Sequence, residues 1–315
     1  MSIVEEILET FLFILFQQRI YEVERRKSCP IFQAIDDWQL SKNNGQEKPE
    51  SELNQEILQL LENGADVHEP EYPPDLCNVG YTPILKASEA GAFEVVKTLI
   101  QKGANVNDKL SWGYKCDSLS FAIKYNNLEL VKILVKNGAN VESRDEGSNT
   151  PLLRACMTNR LEIVEVLVKN GAELNSHPYW GSFQYGFELT PLHITILRTD
   201  SLKIMKLLIQ YGANLDKQST QGHTALLMAL FEGQFEMAKV LIKNGANVNF
   251  ININSDGQSP LHLAATKNDP SLTKMLIDHG AEINTKSIHG EDALQLSLDF
   301  QKHENFKLIM FKNHQ

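Results

Sequence analysis

Residues 137–155 read NGANVESRDEGSNTPLLRA, and they hold one chain reversal between two different helix signals. Gly138 follows an apolar-periodic run and sits where a helix C-terminus favours a left-handed backbone. Thr150 is a helix N-cap type, and Pro151 fits the first helical position, where its missing amide hydrogen loses no bond. Leu152, Leu153 and Ala155 then begin an apolar helix face.

The same two signals recur in step along the chain. The glycines of the first phrase are Gly64, Gly103, Gly138, Gly171, Gly212, Gly245 and Gly280, separated by 39, 35, 33, 41, 33 and 35 residues. The capping phrase recurs at Thr82, Asp117, Thr150, Thr190, Thr224, Ser259 and Asp292. After each cap comes a short apolar helix, then a second one such as FEVVKTLIQKG (93–103). There Val95, Val96, Leu99 and Ile100 form the expected buried stripe, and Glu94 and Lys97 make a surface pair. Such a helical hairpin cannot bury its own apolar face and has to stack on its neighbours.

A period near 33 with TPLH (190–193), SPLH (259–262) and NGANVN (244–249) resembles the ankyrin repeat. The resemblance implies an all-α fold, an ankyrin-repeat solenoid of stacked helical hairpins with extended finger loops, covering residues 28–315 in about eight units. The first unit is atypical: PIFQAIDDW (30–38) reads as its first helix, and a polar insert, Ser41 to Glu52, delays its second. The last, from Asp292, is expected to end in a shortened, polar-tailed helix of capping type. Residues 1–27 form a separate N-terminal helix, apolar all round from Phe11 to Phe16, expected to cap the open end of the first unit.

Composition narrows the function. With 40 acidic and 30 basic side chains the formal charge is −10, which disfavours a phosphate backbone as partner. Cys29, Cys77, Cys116 and Cys156 show neither zinc spacing nor a disulfide framework and read as small reduced residues. The first 27 residues lack a basic start and a cleavage site, and their apolar run is too short to span a bilayer. The expectation is a soluble, cytoplasmic, mostly monomeric protein. No metalloprotease, phosphate-loop or nucleophile-elbow phrase occurs, Asp36 and Asp37 diverge as helix neighbours, and His193 and His262 read as imidazoles bonding adjacent loop backbone. The reading is a non-enzyme with no catalytic residue, no cofactor and no metal. About 28 residues precede the array, too few for a catalytic domain.

Differences between repeats carry the functional signal. From each phrase glycine to the next cap the count is 18, 14, 12, 19, 12, 14 and 12 residues. The long connections after Gly64 and Gly171, with the one after Gly103, carry Tyr72, Trp112, Tyr114, Tyr179, Trp180 and Tyr185, besides Phe183 and Phe187. Rings in exposed loops suit an interface; alternatively Phe183 and Phe187 hold the finger's own shape. By the resemblance, the concave face is read at the ends of the first helices, where Tyr125, Met157, Leu197 and Phe231 form an apolar stripe beside Arg198. These residues make a protein partner the expected ligand, with no nucleic acid expected. Two rivals stand: a peripheral membrane or oligomerising adaptor using the N-terminal helix, and, from the Asn-, Ile- and Lys-rich composition, an effector that an intracellular bacterium secretes without a signal peptide.

Overall fold

Six of the seven capping residues accept a hydrogen bond from the backbone amide three positions further on, inside their helix. The carboxylates approach closest, Asp117 to Ser120 N at 2.8 Å and Asp292 to Gln295 N at 2.9 Å, while the hydroxyls of Thr150, Thr190, Thr224 and Ser259 accept at 3.3–3.5 Å. Charge strengthens the acceptor. Thr82 is the exception: among the described residues its buried hydroxyl has no partner, and Pro83 occupies the first helical position.

The computed structural model describes residues 29–45, 48–70, 80–110, 116–145, 147–177, 189–254 and 256–313. The predicted N-terminal helix and most of the long aromatic fingers lie outside them. The chain divides into two compact units, residues 1–146 and 147–315. The first holds the hairpins α1 (Pro30–Asn43) with α2 (Glu50–Glu62), α3 (Pro83–Ala90) with α4 (Phe93–Gln101), and α5 (Ser118–Lys124) with α6 (Leu128–Lys136). The second holds α7 (Pro151–Met157) with α8 (Leu161–Lys169), α9 (Pro191–Ile196) with α10 (Leu202–Gln210), α11 (Ala225–Phe231) with α12 (Phe235–Lys243), α13 (Pro260–Ala265) with α14 (Pro270–Asp278), and α15 (Ala293–Asp299) with α16 (His303–Asn313). Within each unit, first helices pack on first helices and second on second, so every hairpin is buried by its neighbours.

The cores follow the sequence pattern. In α12, Met237, Ala238, Leu241 and Ile242 are buried, each large side chain contributing roughly 1.5–3 kcal/mol of burial. In α4 the stripe is Val95, Val96 and Leu99, joined by Thr98 rather than by Ile100, which is half-buried. The Thr98 hydroxyl can go inside because it donates to Asn54 Oδ1 of α2 at 2.7 Å. Lys97 and Glu94 stand 3.8 Å apart on the surface, as expected, and Gly103 closes the helix at φ +99°.

Asparagine ladders tie consecutive finger bases together. Asn107 donates to Gly138 O at 3.1 Å and accepts from Asn140 N at 2.8 Å. Asn249 repeats this with Gly280 O at 3.0 Å and Glu282 N at 2.8 Å.

Both ends of the array depart from expectation. The polar insert is helical at both of its ends: α1 runs through Asn43 and α2 begins at Glu50, with Trp38 Nε1 donating to Lys48 O at 2.9 Å across the turn. Polar residues extend these helices because their outer faces need no burial. The final helix is not shortened: α16 has 11 residues against nine in α4, α6, α8, α10, α12 and α14. Nor is its outer face wholly polar, since Met310 and Phe311 are exposed. Asn305 holds it in place, its amide donating to the carbonyls of Ala264, Ala265 and Lys267 at the end of α13.

Candidate partner-binding face

From α3 onward each first helix ends six to eight residues after its cap, and the fold turns that end away from the core. Tyr125, in the first unit, is 51% exposed with the Lys124 ammonium 5.3 Å from its ring centroid. In the second unit Leu197 is 41% and Phe231 66% exposed, whereas Met157 is half-buried. The Phe231 ring lies 6.3 Å from that of His223, at the base of the finger. Three of the four expected stripe residues therefore reach solvent, and Met157 contributes a partly covered edge.

Arg198 is partly committed to the scaffold. Its guanidinium donates to Met157 O of the preceding hairpin at 3.0 Å, and its Nε stands 3.4 Å from Asp200 Oδ1. This turn carries one residue more than the others: Thr190 to the start of α10 is 12 positions, against 11 from Thr150, Thr224, Ser259 and Asp292 to theirs. Asn159 donates to Asp200 Oδ2 at 2.7 Å, and the buried Ser201 hydroxyl donates to Arg198 O at 2.8 Å and to Thr195 O.

The histidines serve the frame. His193 Nδ1 lies 2.8 Å from Thr190 Oγ1 and its Nε2 3.0 Å from His223 O; His262 repeats the pattern with Ser259 and Glu291 O. Burial pulls the His193 pKa down to about 4 and lowers those of His223 and His262. Asp36 pairs with Lys86 at 2.9 Å and Asp37 accepts from Gln33, so these carboxylates diverge as expected. Among the described residues no cluster of His, Cys, Asp or Glu suits a metal ion, and no helix is long and apolar enough to cross a membrane. The chemistry on offer at this face is burial of apolar surface.

Tyr72, Trp112, Tyr114, Tyr179, Trp180 and Tyr185 lie outside the described residues, as do Phe183 and Phe187. Two exposed groups were missed by sequence reasoning. Phe300, eight residues after Asp292, is 55% exposed on the last first-helix end, at a position the repeat count already marks. Ile251, Ile253 and Ile288 are exposed on two neighbouring fingers, and the 14-residue connection from Gly245 to Ser259 was a signal left unused. Those two fingers are pinned by Ile288 N donating to Asp256 O at 3.1 Å.

Comparison with known proteins places this architecture. Family models described as ankyrin repeats match residues 79–109, 110–178, 181–252 and 241–297. Among curated relatives, the potassium channel AKT2/3 of Arabidopsis thaliana is 34% identical over 59 residues, 19% of this chain and 7% of that protein. A putative ankyrin repeat protein, FPV230 of fowlpox virus, is 33% identical over 89 residues, 28% of this chain and 46% of that protein. The chain thus matches under half the length of either relative. The solved human ASB11 ankyrin repeat domain superposes with a TM-score of 0.53 at 26% identity, covering 74% of this chain and 98% of that one. Ankyrin repeats are in general protein-binding scaffolds, and the family is typically non-catalytic. With its phased caps, stacked hairpins and family matches spanning residues 79–297, this chain belongs to the ankyrin-repeat family.

Proposed function

We propose that the chain is a non-catalytic scaffold that binds a protein partner through the ends of its first helices and its aromatic fingers. The observation that carries this reading is the exposure of Leu197 and Phe231 at the same place in adjacent hairpins. Large apolar side chains left wet at equivalent positions form a patch rather than scattered singles. Interfaces concentrate their energy in a few such anchors. Tyr125 presents the same feature in the first unit, and Arg198 adds a fixed cation beside Leu197. The rings of Tyr72, Trp112, Tyr114, Tyr179, Trp180 and Tyr185 supply the second part of the surface, a role that rests on their sequence context.

Affinity capture with the intact chain, run beside Phe231→Asp and a Tyr179→Ala, Trp180→Ala double variant, tests both parts. Loss of the same captured protein with Phe231→Asp, at unchanged circular dichroism, is the expected result. At least tenfold weaker binding is expected from the double variant, since truncating a buried interface Trp commonly costs about 2 kcal/mol or more. A captured set unaffected by either variant sinks the reading.

A further inference from the structure

Asn63 closes α2 as Asn137, Asn170 and Asn244 close α6, α8 and α12, and each stands directly before a glycine. Their backbones agree, with φ between −82° and −101° and ψ between 5° and 20°. All four residues are exposed. The nitrogen of each following glycine donates to a carbonyl of its own helix at 3.0–3.1 Å, Gly64 to Leu61 O among them. The side chains separate them. Those of Asn137, Asn170 and Asn244 donate to the carbonyl four residues back at 2.7–2.8 Å. Among the described residues the Asn63 amide donates to none.

The turn at Gly64 also lacks support from a neighbouring finger. Asn107 donates to Gly138 O and Asn249 to Gly280 O, each from the hairpin before. Gly64 belongs to the first hairpin, and among the described residues nothing donates to its carbonyl.

We propose that Asn63 is a modification site of the folded chain, at which water converts the side-chain amide to a carboxylate. The Gly64 nitrogen, losing its proton to water, bonds to Asn63 Cγ; the Cγ–Nδ2 bond breaks and ammonia leaves. Water then opens the five-membered imide. Attack at Cγ gives aspartate with the normal linkage, and attack at the main-chain carbonyl gives a β-linked residue with one extra backbone atom. No oxidant or cofactor takes part. In the other three turns the amide has to leave its carbonyl first, and one hydrogen bond of ordinary strength slows that by about fivefold. The new carboxylate stands at the C-terminus of α2, whose partial negative charge disfavours it. Glu62 precedes it and Asp66 lies three residues on. Conversion therefore loads the end of the array, where local opening is easiest.

The full chain, incubated at neutral pH and mapped by proteolysis with mass spectrometry, gives the rate at each asparagine. Deamidation at Asn63 should run about fivefold or more ahead of each of the other three. In concentrated urea, where no helix end survives, the four rates should converge. A methyltransferase specific for β-linked aspartate should label the incubated folded chain, and Asn63→Gln should lose most of that label. Equal rates in the folded chain, an Asn63 excess that persists in urea, or undiminished labelling of Asn63→Gln would each overturn the proposal.

Discussion

Hairpins α9–α10 and α11–α12 begin alike, with a Thr cap bonded to the third amide of its helix, and then solve the same reversal by different means. In α11–α12 the turn is closed by Gly233 at φ +71°, a conformation that a side chain disfavours. In α9–α10 one extra residue is present and none of residues 197–201 is left-handed. Side chains hold that turn instead: Asn159 on Asp200, Arg198 on the Met157 carbonyl, and the Ser201 hydroxyl on its own turn. The first device is local and the second borrows the preceding hairpin, so an insertion is absorbed where a neighbour offers partners.

If only the turn differs, the cores should respond equally. Ile196 and Leu230 both stand six residues after their caps and are fully buried. Ile196→Ala and Leu230→Ala should each lose about 2–5 kcal/mol in urea unfolding. A loss below about 1 kcal/mol for Ile196→Ala alone would mean that the extra residue has loosened the hairpin core.

The next contrast is at the third helical position, His193 in one hairpin and Leu227 in the other. The folded His193 pKa lies near 4, below the ordinary 6.5, because burial disfavours the cation. Between those values the unfolded chain binds more protons, so stability rises with pH there. It is fully present above about pH 6.5 and is lost as pH falls toward 4, by up to about 3 kcal/mol from this group. His223 and His262 act in the same direction. Melting between pH 7 and 4.5 should therefore fall steeply, and His193→Asn should fall less; equal slopes would contradict the assigned burial.

The turns themselves give the smallest effects. Gly233→Ala should cost about 1 kcal/mol, the price of a left-handed Cβ. Arg198→Ala should cost about 0.5–1 kcal/mol through the lost bond to Met157 O, half-exposed as the group is. Denaturation midpoints check both, and a neutral Arg198→Ala would leave Asn159 and Ser201 as the whole of the second device.

Most of the fold was legible because each element is specified locally. Thr150-Pro151 starts a helix wherever it sits, and the spacing of Gly138 from Gly171 counts out one repeat. What was not legible depends on partners far along the chain. Thr98 is buried only because Asn54, 44 residues earlier, accepts its proton. Arg198, expected beside the apolar stripe, reaches a carbonyl 41 residues back. At the candidate face, Tyr125, Leu197 and Phe231 were readable from register alone, because position after the cap fixes direction. Met157 was not: it is half-buried, and the Arg198 side chain of the next hairpin reaches across to its carbonyl. Phe300, eighth after Asp292 as Tyr125 is after Asp117, was equally readable from register, but the expected stripe ended one hairpin earlier, at Thr266 and Lys267.

The repeat phrase carries one chemical liability: an Asn directly before its Gly, at Asn63, Asn137, Asn170 and Asn244. Such steps age by attack of the glycine nitrogen on the asparagine side chain, which releases ammonia and leaves aspartate or isoaspartate; Asn is accordingly a thermolabile residue. At Asn137, Asn170 and Asn244 both reactants are held. The three side-chain amides donate to Ile133 O, Val166 O and Val240 O at 2.7–2.8 Å. The nitrogens of Gly138, Gly171 and Gly245 donate to carbonyls of the helix just ended. Succinimide closure has to break both contacts, so damage there waits on opening of the helix end. Isoaspartate at these three asparagines would record how long each repeat has spent unfolded, and the motif that builds the array doubles as its clock.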